Sequence, residues 1–352
     1  MLGRVKVALA NALETPPRVR IGRWRLFCTG LAVDLAVIWL ALFWSVYQRV
    51  GLFRWLGIDY GFHFSQTKTL WSEPERIYDL AALDQNLQTL VSYTTEPWHP
   101  LAAGPVPYPP IFAWLFTPFT LPSAPVGFLL WTVVNIVGAA YLAWLTSSLF
   151  PSRERVWVGM LVLTSFPIAY TIFVGQPLIL LACAVAQCYL NLRAGRDFHA
   201  GLWLACLFLK PQYGILLGTL LVWKRQWGAV AGVALGGVLI VLGSAIVAGI
   251  PALLSYPASL SNLSGLRGIG TVAYPEQMVN WRALVVSFGP NLSDRIGLLI
   301  VLLLGAATVG AAAWSLRGPW MPEGPLSLPW SRRPFWLLCW PAIIATCMGP
   351  LF

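Results

Sequence analysis

LFCTGLAVDLAVIWLALFWSVY, residues 26–47, is 22 residues long and carries a single charge, Asp34. An α-helix rises about 1.5 Å per residue, so this run reaches across the roughly 30 Å hydrocarbon core of a bilayer. The segment before it is polar and basic, with Arg4, Lys6, Arg18, Arg20, Arg23 and Arg25. The run is too long for the apolar part of a cleaved signal, and no small-residue cleavage site follows it. The expectation is a retained first helix that starts in the cytoplasm.

The rest of the chain continues the pattern. Of 352 residues, 58% are hydrophobic and only 10% charged, and mean hydropathy is +0.70. A soluble protein of this length carries far more charge. Further apolar segments fall at residues 124–149, 156–174, 177–192, 227–249 and 296–316, and another begins at 335. A stretch at 202–223 is interrupted by Lys210-Pro211-Gln212. The fold class expected is all-α and membrane-embedded, with many spans. The division expected is a basic N-terminus, 1–25, and one membrane domain, 26–352, with long external loops at about 48–122 and 250–294. Within the first loop, residues 60–70 and 81–91 read as short helices.

The net charge of +10 comes from basic residues clustered between apolar segments. That is an orientation signal, not a nucleic-acid surface. It decides between two topologies. If residues 108–121 cross the membrane, Arg153, Arg155, Arg193 and Arg196 face outside. If they only dip into it, those four face the cytoplasm, and 202–223 is a hairpin of half-helices that returns Lys224 and Arg225 to the same side. Arg317, Arg332 and Arg333 then also lie inside, and Gly175-Gln176 outside. Fourteen residues are few for a span, so the second topology is expected. Gly228, Gly232 and Gly236, four residues apart, predict close helix packing.

The polar residues that break this apolar background are few. Asp59 follows the first span in WLGIDYGFHF, residues 55–64, and His63, one helical turn further on, joins the candidate substrate-binding set as a group that tunes the charge of Asp59 or contacts sugar. A carboxylate in a partly dry pocket can be raised towards a working general base; as an ordinary residue it would be a helix cap or a solvated loop aspartate. Asp34, inside the first span, needs an arginine partner or a water cavity. Lys210 could hold a phosphate as a point charge or snorkel to the interface. Gln176, between glycine and proline, reads as a tight turn with a sugar contact. The second loop, LRGIGTVAYPEQMVNWRAL (266–284), offers Arg267, Gln277, Asn280 and Arg282 for phosphate and sugar. Tyr108, in PVPYPPIFAWLFTPFTLP (105–122), and Gln212 complete the candidate substrate-binding set.

The six cysteines form no C-x-x-C pair and no Cys/His ligand set, so neither a disulfide framework nor a zinc site is indicated. There is no phosphate loop, no dinucleotide fingerprint and no H-E-x-x-H. An ATP-driven pump and a nucleotide-sugar donor both lose ground. No cofactor is implied; a divalent metal stays open, although D-x-D is absent.

ERIYDLAAL (75–83), YPPIFAWLFTPF (108–119), LLWTVVNIVGAAYL (129–142), GQPLILLACAVA (175–186) and LKPQYGILL (209–217) follow one another in an order that resembles glycosyltransferase family 87, which includes polyprenol-phosphate-mannose-dependent alpha-(1,2)-mannosyltransferases. The resemblance covers roughly residues 26–352. It implies a GT-C fold in the cell membrane, with the active site on the external face. It also implies a polyprenyl phosphate sugar as donor, a glycan or glycolipid as acceptor, lipid around the helices, and inversion by single displacement. The family's catalytic aspartate maps onto Asp59. The family continues beyond the point where this chain stops, at CMGPLF (347–352), so the resemblance implies a short or truncated member. The rival reading is a polytopic transporter or lipid flippase, which would use Asp34 and Lys210 as intramembrane charges but calls for paired repeats.

Overall fold

A computed structural model describes residues 18–53, 55–94, 106, 108–263, 281, 284–285, 289 and 292–315. The described residues form an all-α membrane protein. Its helices are α1 (Arg18–Val50), α2 (Ile58–Ser72), α3 (Leu80–Gln88), α4 (Pro110–Phe116), α5 (Ala124–Ser148), α6 (Arg155–Leu163), α7 (Phe166–Val174), α8 (Leu178–Arg193), α9 (Asp197–Ala205), α10 (Pro211–Trp223), α11 (Trp227–Leu263) and α12 (Asp294–Ser315). Three of them, α1, α5 and α11, are long and apolar enough to cross a membrane. Their outer faces are apolar and exposed: Val33, Val37 and Trp44 on α1, Leu129, Val133 and Val137 on α5, and Leu239, Leu242 and Ile246 on α11. Hydrocarbon tolerates such surfaces and water does not.

Residues 156–174, expected as one span, are two helices bent by 40°. Pro167 lies in the first turn of α7 and has no N–H to continue the ladder of α6. The carbonyl of Thr164 at the break accepts instead from Trp39 Nε1 of α1, at 3.3 Å. Residues 250–263, expected as loop, continue α11 past a kink at Gly249, whose φ of 81° and ψ of 164° suit only glycine.

Residues 108–121 hold no helix long enough to cross a membrane. They form α4 and a 3-10 turn, Thr117–Phe119, packed against α2 and α11. The interrupted stretch is a hairpin. α9 and the 3-10 segment Cys206–Leu209 run one way and α10 runs back. Each arm is roughly 20 Å long, short of the roughly 30 Å hydrocarbon core. Proline disfavours the helical region for its predecessor. Lys210, before Pro211, accordingly has φ −136° and ψ 81° and forms the tip.

α5 and α8 run parallel. Cys183 Sγ meets the Gly138 carbonyl at 3.3 Å, and the Gln187 side-chain amide bonds the Tyr141 hydroxyl further along. Arg153, Arg155, Arg193 and Arg196 therefore sit at one end of the bundle. Asp197, at the start of α9, lies against Gly228, at the start of α11, so Lys224 and Arg225 share that end. At the other end Trp131 Nε1 donates to the Gly175 carbonyl at 2.7 Å. Asp34 lies on the exposed face of α1, and among the described residues no ion pair holds it.

The glycine stripe of α11 lets α9 approach backbone to backbone. A Cβ on Gly201 would stand 1.9 Å from the Ala229 carbonyl oxygen, and one on Gly232 2.2 Å from that of Phe198. A Cβ on Gly237 meets nothing within 4 Å. Overpacking at such contacts costs about 1–3 kcal/mol. Gly201→Ala and Gly232→Ala should therefore lower the unfolding temperature in detergent, with Gly237→Ala unchanged or slightly stabilised. Equal melting of all three would mean that the close packing carries no stability.

Candidate active site

The end of the bundle away from the clustered arginines holds the polar residues. Gly57 enters α2 with φ 80°, where a Cβ would crowd Phe128 and Phe53, and its N–H donates to the Phe173 carbonyl at 2.8 Å. This fixes the start of α2 against the end of α7. Tyr60, fully buried, donates its hydroxyl to the Phe119 carbonyl at 2.7 Å and packs on Phe53, Phe116 and Phe128. α2 is thereby bound to α4 and α5, and Asp59, in its first turn, is aimed at the α7–α8 turn.

That turn is built by Gly175, which closes α7 with φ 81°. The N–H groups of Gly175 and Gln176 both return to the Thr171 carbonyl. Pro177 stops the chain from continuing as helix, and Gln176 is left pointing at α2. Its Nε2 donates to Asp59 Oδ2 at 2.5 Å, across 117 residues of sequence. Burial raises the Asp59 carboxyl above the usual carboxylate range, while the Gln176 bond and the charge of Lys210 pull it back. The N-terminal position on α2 also favours the ionised form. The result is a partly accessible carboxylate with a proton affinity above that of a solvated aspartate, facing a cation.

Lys210 reaches this end because it sits at the tip of the α9–α10 hairpin. Its ammonium stands 5.5 Å from the Tyr108 ring centre and 5.9 Å from that of Tyr213. Two aromatic faces attract a cation and hold it without neutralising it. The Tyr108 hydroxyl is pushed up to about 12 by burial, so it remains a neutral donor.

Asp59, Gln176, Lys210 and Tyr108 are thus brought together from four parts of the chain. His63 is not open to a ligand. It is 2% exposed, edge-on to Tyr108 at 4.8 Å, Phe112 at 5.0 Å and Phe116 at 5.4 Å, and neither ring nitrogen has a hydrogen-bond partner. Burial, helped by the Lys210 charge, lowers it to about 3, so it is a neutral packing group beneath Tyr108. The sugar contact expected of it is replaced by support of the aromatic wall. Gln212 lies in the first turn of α10, and its side chain falls outside the described residues, as do Arg267, Gln277, Asn280, Arg282 and Glu276. Asp79 caps α3, accepting from Ala81 N at 2.9 Å and Ala82 N at 3.0 Å, with its carboxyl held below the usual range by those bonds. It is committed to structure.

Three residues of this region escaped the sequence reading. Tyr213 is one turn beyond Lys210; Gln66 is three residues beyond His63 on the same face; Tyr78 lies within ERIYDLAAL. Periodicity alone would have signalled the first two.

Removing the Gln176 donor withdraws a bond that favours the charged carboxylate. In Gln176→Leu the protonated-carboxyl infrared band, assigned by its absence in Asp59→Asn, should persist to higher pH than in the parent. A band that titrates at the same pH in both proteins would show that the bond does not act on Asp59.

No curated protein and no solved structure matches the chain. The model of glycosyltransferase family 87 matches residues 107–342, a region that holds Tyr108, Gln176 and Lys210 and begins after Asp59. This match spans more than half of the sequence and sets aside the transporter reading: the chain belongs to glycosyltransferase family 87 and is a membrane glycosyltransferase.

Proposed function

We propose that this glycosyltransferase moves a hexose, mannose by its resemblance, from a polyprenyl phosphate donor to a glycan or glycolipid acceptor on the external face of the cell membrane, with inversion in one displacement. The observation that carries the reading is the 2.5 Å Gln176–Asp59 bond beside the charge of Lys210, at the end of the bundle away from the clustered arginines. Basic loops tend to stay in the cytoplasm, which supports an external position for Asp59. A lipid-linked donor suits a site at the membrane rim, because the prenyl chain can lie along the apolar helices while its phosphate meets Lys210.

The step needs one base and one anion binder. An acceptor hydroxyl oxygen forms a bond to C1 of the sugar as the bond from C1 to the phosphate oxygen breaks. The hydroxyl proton passes to Asp59, and the electron pair leaves on polyprenyl phosphate. Gln176 keeps the carboxylate oriented, and Lys210 offsets the charge that builds on the departing phosphate. No enzyme nucleophile is called for, in keeping with one dominant carboxylate where a retaining route would use two.

Asp59→Asn keeps the shape and loses the base. Turnover of a polyprenyl phosphate mannose should fall about 10²- to 10⁴-fold, with donor binding largely kept, since the base acts in the transition state. Turnover within a few-fold of the parent would remove Asp59 from this role. Lys210→Met should weaken donor use by about 1.5–3 kcal/mol, the worth of a charge-assisted bond; unchanged kinetics would assign the ammonium to the interface instead.

A further inference from the structure

The ERIYDLAAL segment is not used by this chemistry, yet it is tied firmly to the site. Arg76 bonds Glu73 at 2.6 Å and Asp79 at 3.3 Å, and Asp79 caps α3, so residues 73–82 form a fixed corner. From that corner the Tyr78 hydroxyl donates to the Tyr108 carbonyl at 2.8 Å. Gln66 Nε2, from α2, donates to the same oxygen at 3.0 Å. A carbonyl oxygen has two lone pairs, and both are taken. Behind this pair the Tyr78 ring stacks on Tyr256 at 5.5 Å and 29°, beyond the Gly249 kink of α11. Pro109 and Pro110 follow Tyr108 and limit the backbone further.

What this holds is the Tyr108 ring. At 2% exposure it is no platform for a sugar. One flank meets His63 edge-on at 4.8 Å, and its surroundings include the Lys210 ammonium at 5.5 Å. Lys210 has a long, flexible stem, and Tyr108 and Tyr213 are the aromatic rings that stand beside its ammonium.

We propose that Tyr78 and Gln66 are positioning residues: by pinning the Tyr108 carbonyl they hold the Tyr108 ring in place and so set where the Lys210 ammonium stands relative to Asp59. The claim rests on the reading of Lys210 as the donor-phosphate ligand. It gives the ERIYDLAAL corner a part in donor binding, although the corner touches no substrate.

Tyr78→Phe removes the hydroxyl and keeps the stack on Tyr256; Gln66→Met keeps the volume and removes the donor. With polyprenyl phosphate mannose, each should raise the donor KM about two- to tenfold, the effect of one hydrogen bond, with kcat nearly unchanged. The double variant, which leaves the carbonyl without either donor, should exceed the product of the single effects. In a Lys210→Met background Tyr78→Phe should add nothing to KM. The same fold-loss with and without Lys210 would overturn the proposal and leave a purely structural corner. A second measurement is independent of sugar chemistry: amide hydrogen exchange across residues 108–116 of the substrate-free protein should quicken in both single variants. Quickened exchange in a protein inactive on every polyprenyl phosphate sugar would sink the donor reading and support the pinned carbonyl. Unchanged exchange together with an unchanged KM would sink the pin.

Discussion

A carboxylate taken out of water needs a donor, and the arrangement at Asp59 supplies one from the α7–α8 turn packed against the start of α2. The Gln176 amide reaches it only because two backbone positions do what side-chain residues resist. Gly175 closes α7 in the left-handed region, and Gly57 opens α2 in the same region. Gln176 and Asp59 follow those glycines by one and two residues. A Cβ at Gly175 would come within 2.9 Å of the Tyr60 Cβ. The bond therefore depends on the same close approach that seats the aromatic core, and the core on the same turn that carries the bond.

The cation across from Asp59 is delivered by a different device. A proline at the start of α10 stops the helix before it, and the resulting hairpin is too short to cross the hydrocarbon. Its tip carries Lys210 to the end of the bundle that holds Asp59 and Gln176. Non-helical backbone at this depth is tolerable when protein surrounds it, and the tip is flanked by Tyr108 and Tyr213. The glycine contacts between α9 and α11 fix where the hairpin stands.

Electrostatics gives the site its working range. Burial raises the carboxyl of Asp59 and lowers His63, so it favours the neutral form of both, while Gln176 and Lys210 pull against that rise at Asp59 alone. Two ionisable groups one turn apart on α2 are thus separated in role by their neighbours. Asp59 faces donors and a cation; His63 faces three aromatic rings.

The sequence by itself determined that the chain is helical and membrane-embedded, because a 22-residue run with one charge has no stable state in water and satisfies its backbone only as a helix in lipid. It located the glycine stripe, the break at Lys210 and the short helices after the first span, since glycine spacing, an internal proline and apolar periodicity act over a few residues. It also placed the family, through the order of several short motifs. Only the tertiary structure decided which polar residues meet. Asp59 and Gln176 lie 117 residues apart, and no local rule joins them. His63 shares a helix face with Asp59, as its spacing of four requires, but whether that face meets a ligand or an aromatic wall depends on where α4 packs. The bend before Pro167 and the helix beyond Gly249 escaped the reading for a related reason. An apolar run is the same string of letters whether its helix is straight, broken or prolonged, and the carbonyl partners that stabilise a break come from another helix, as Trp39 does for Thr164.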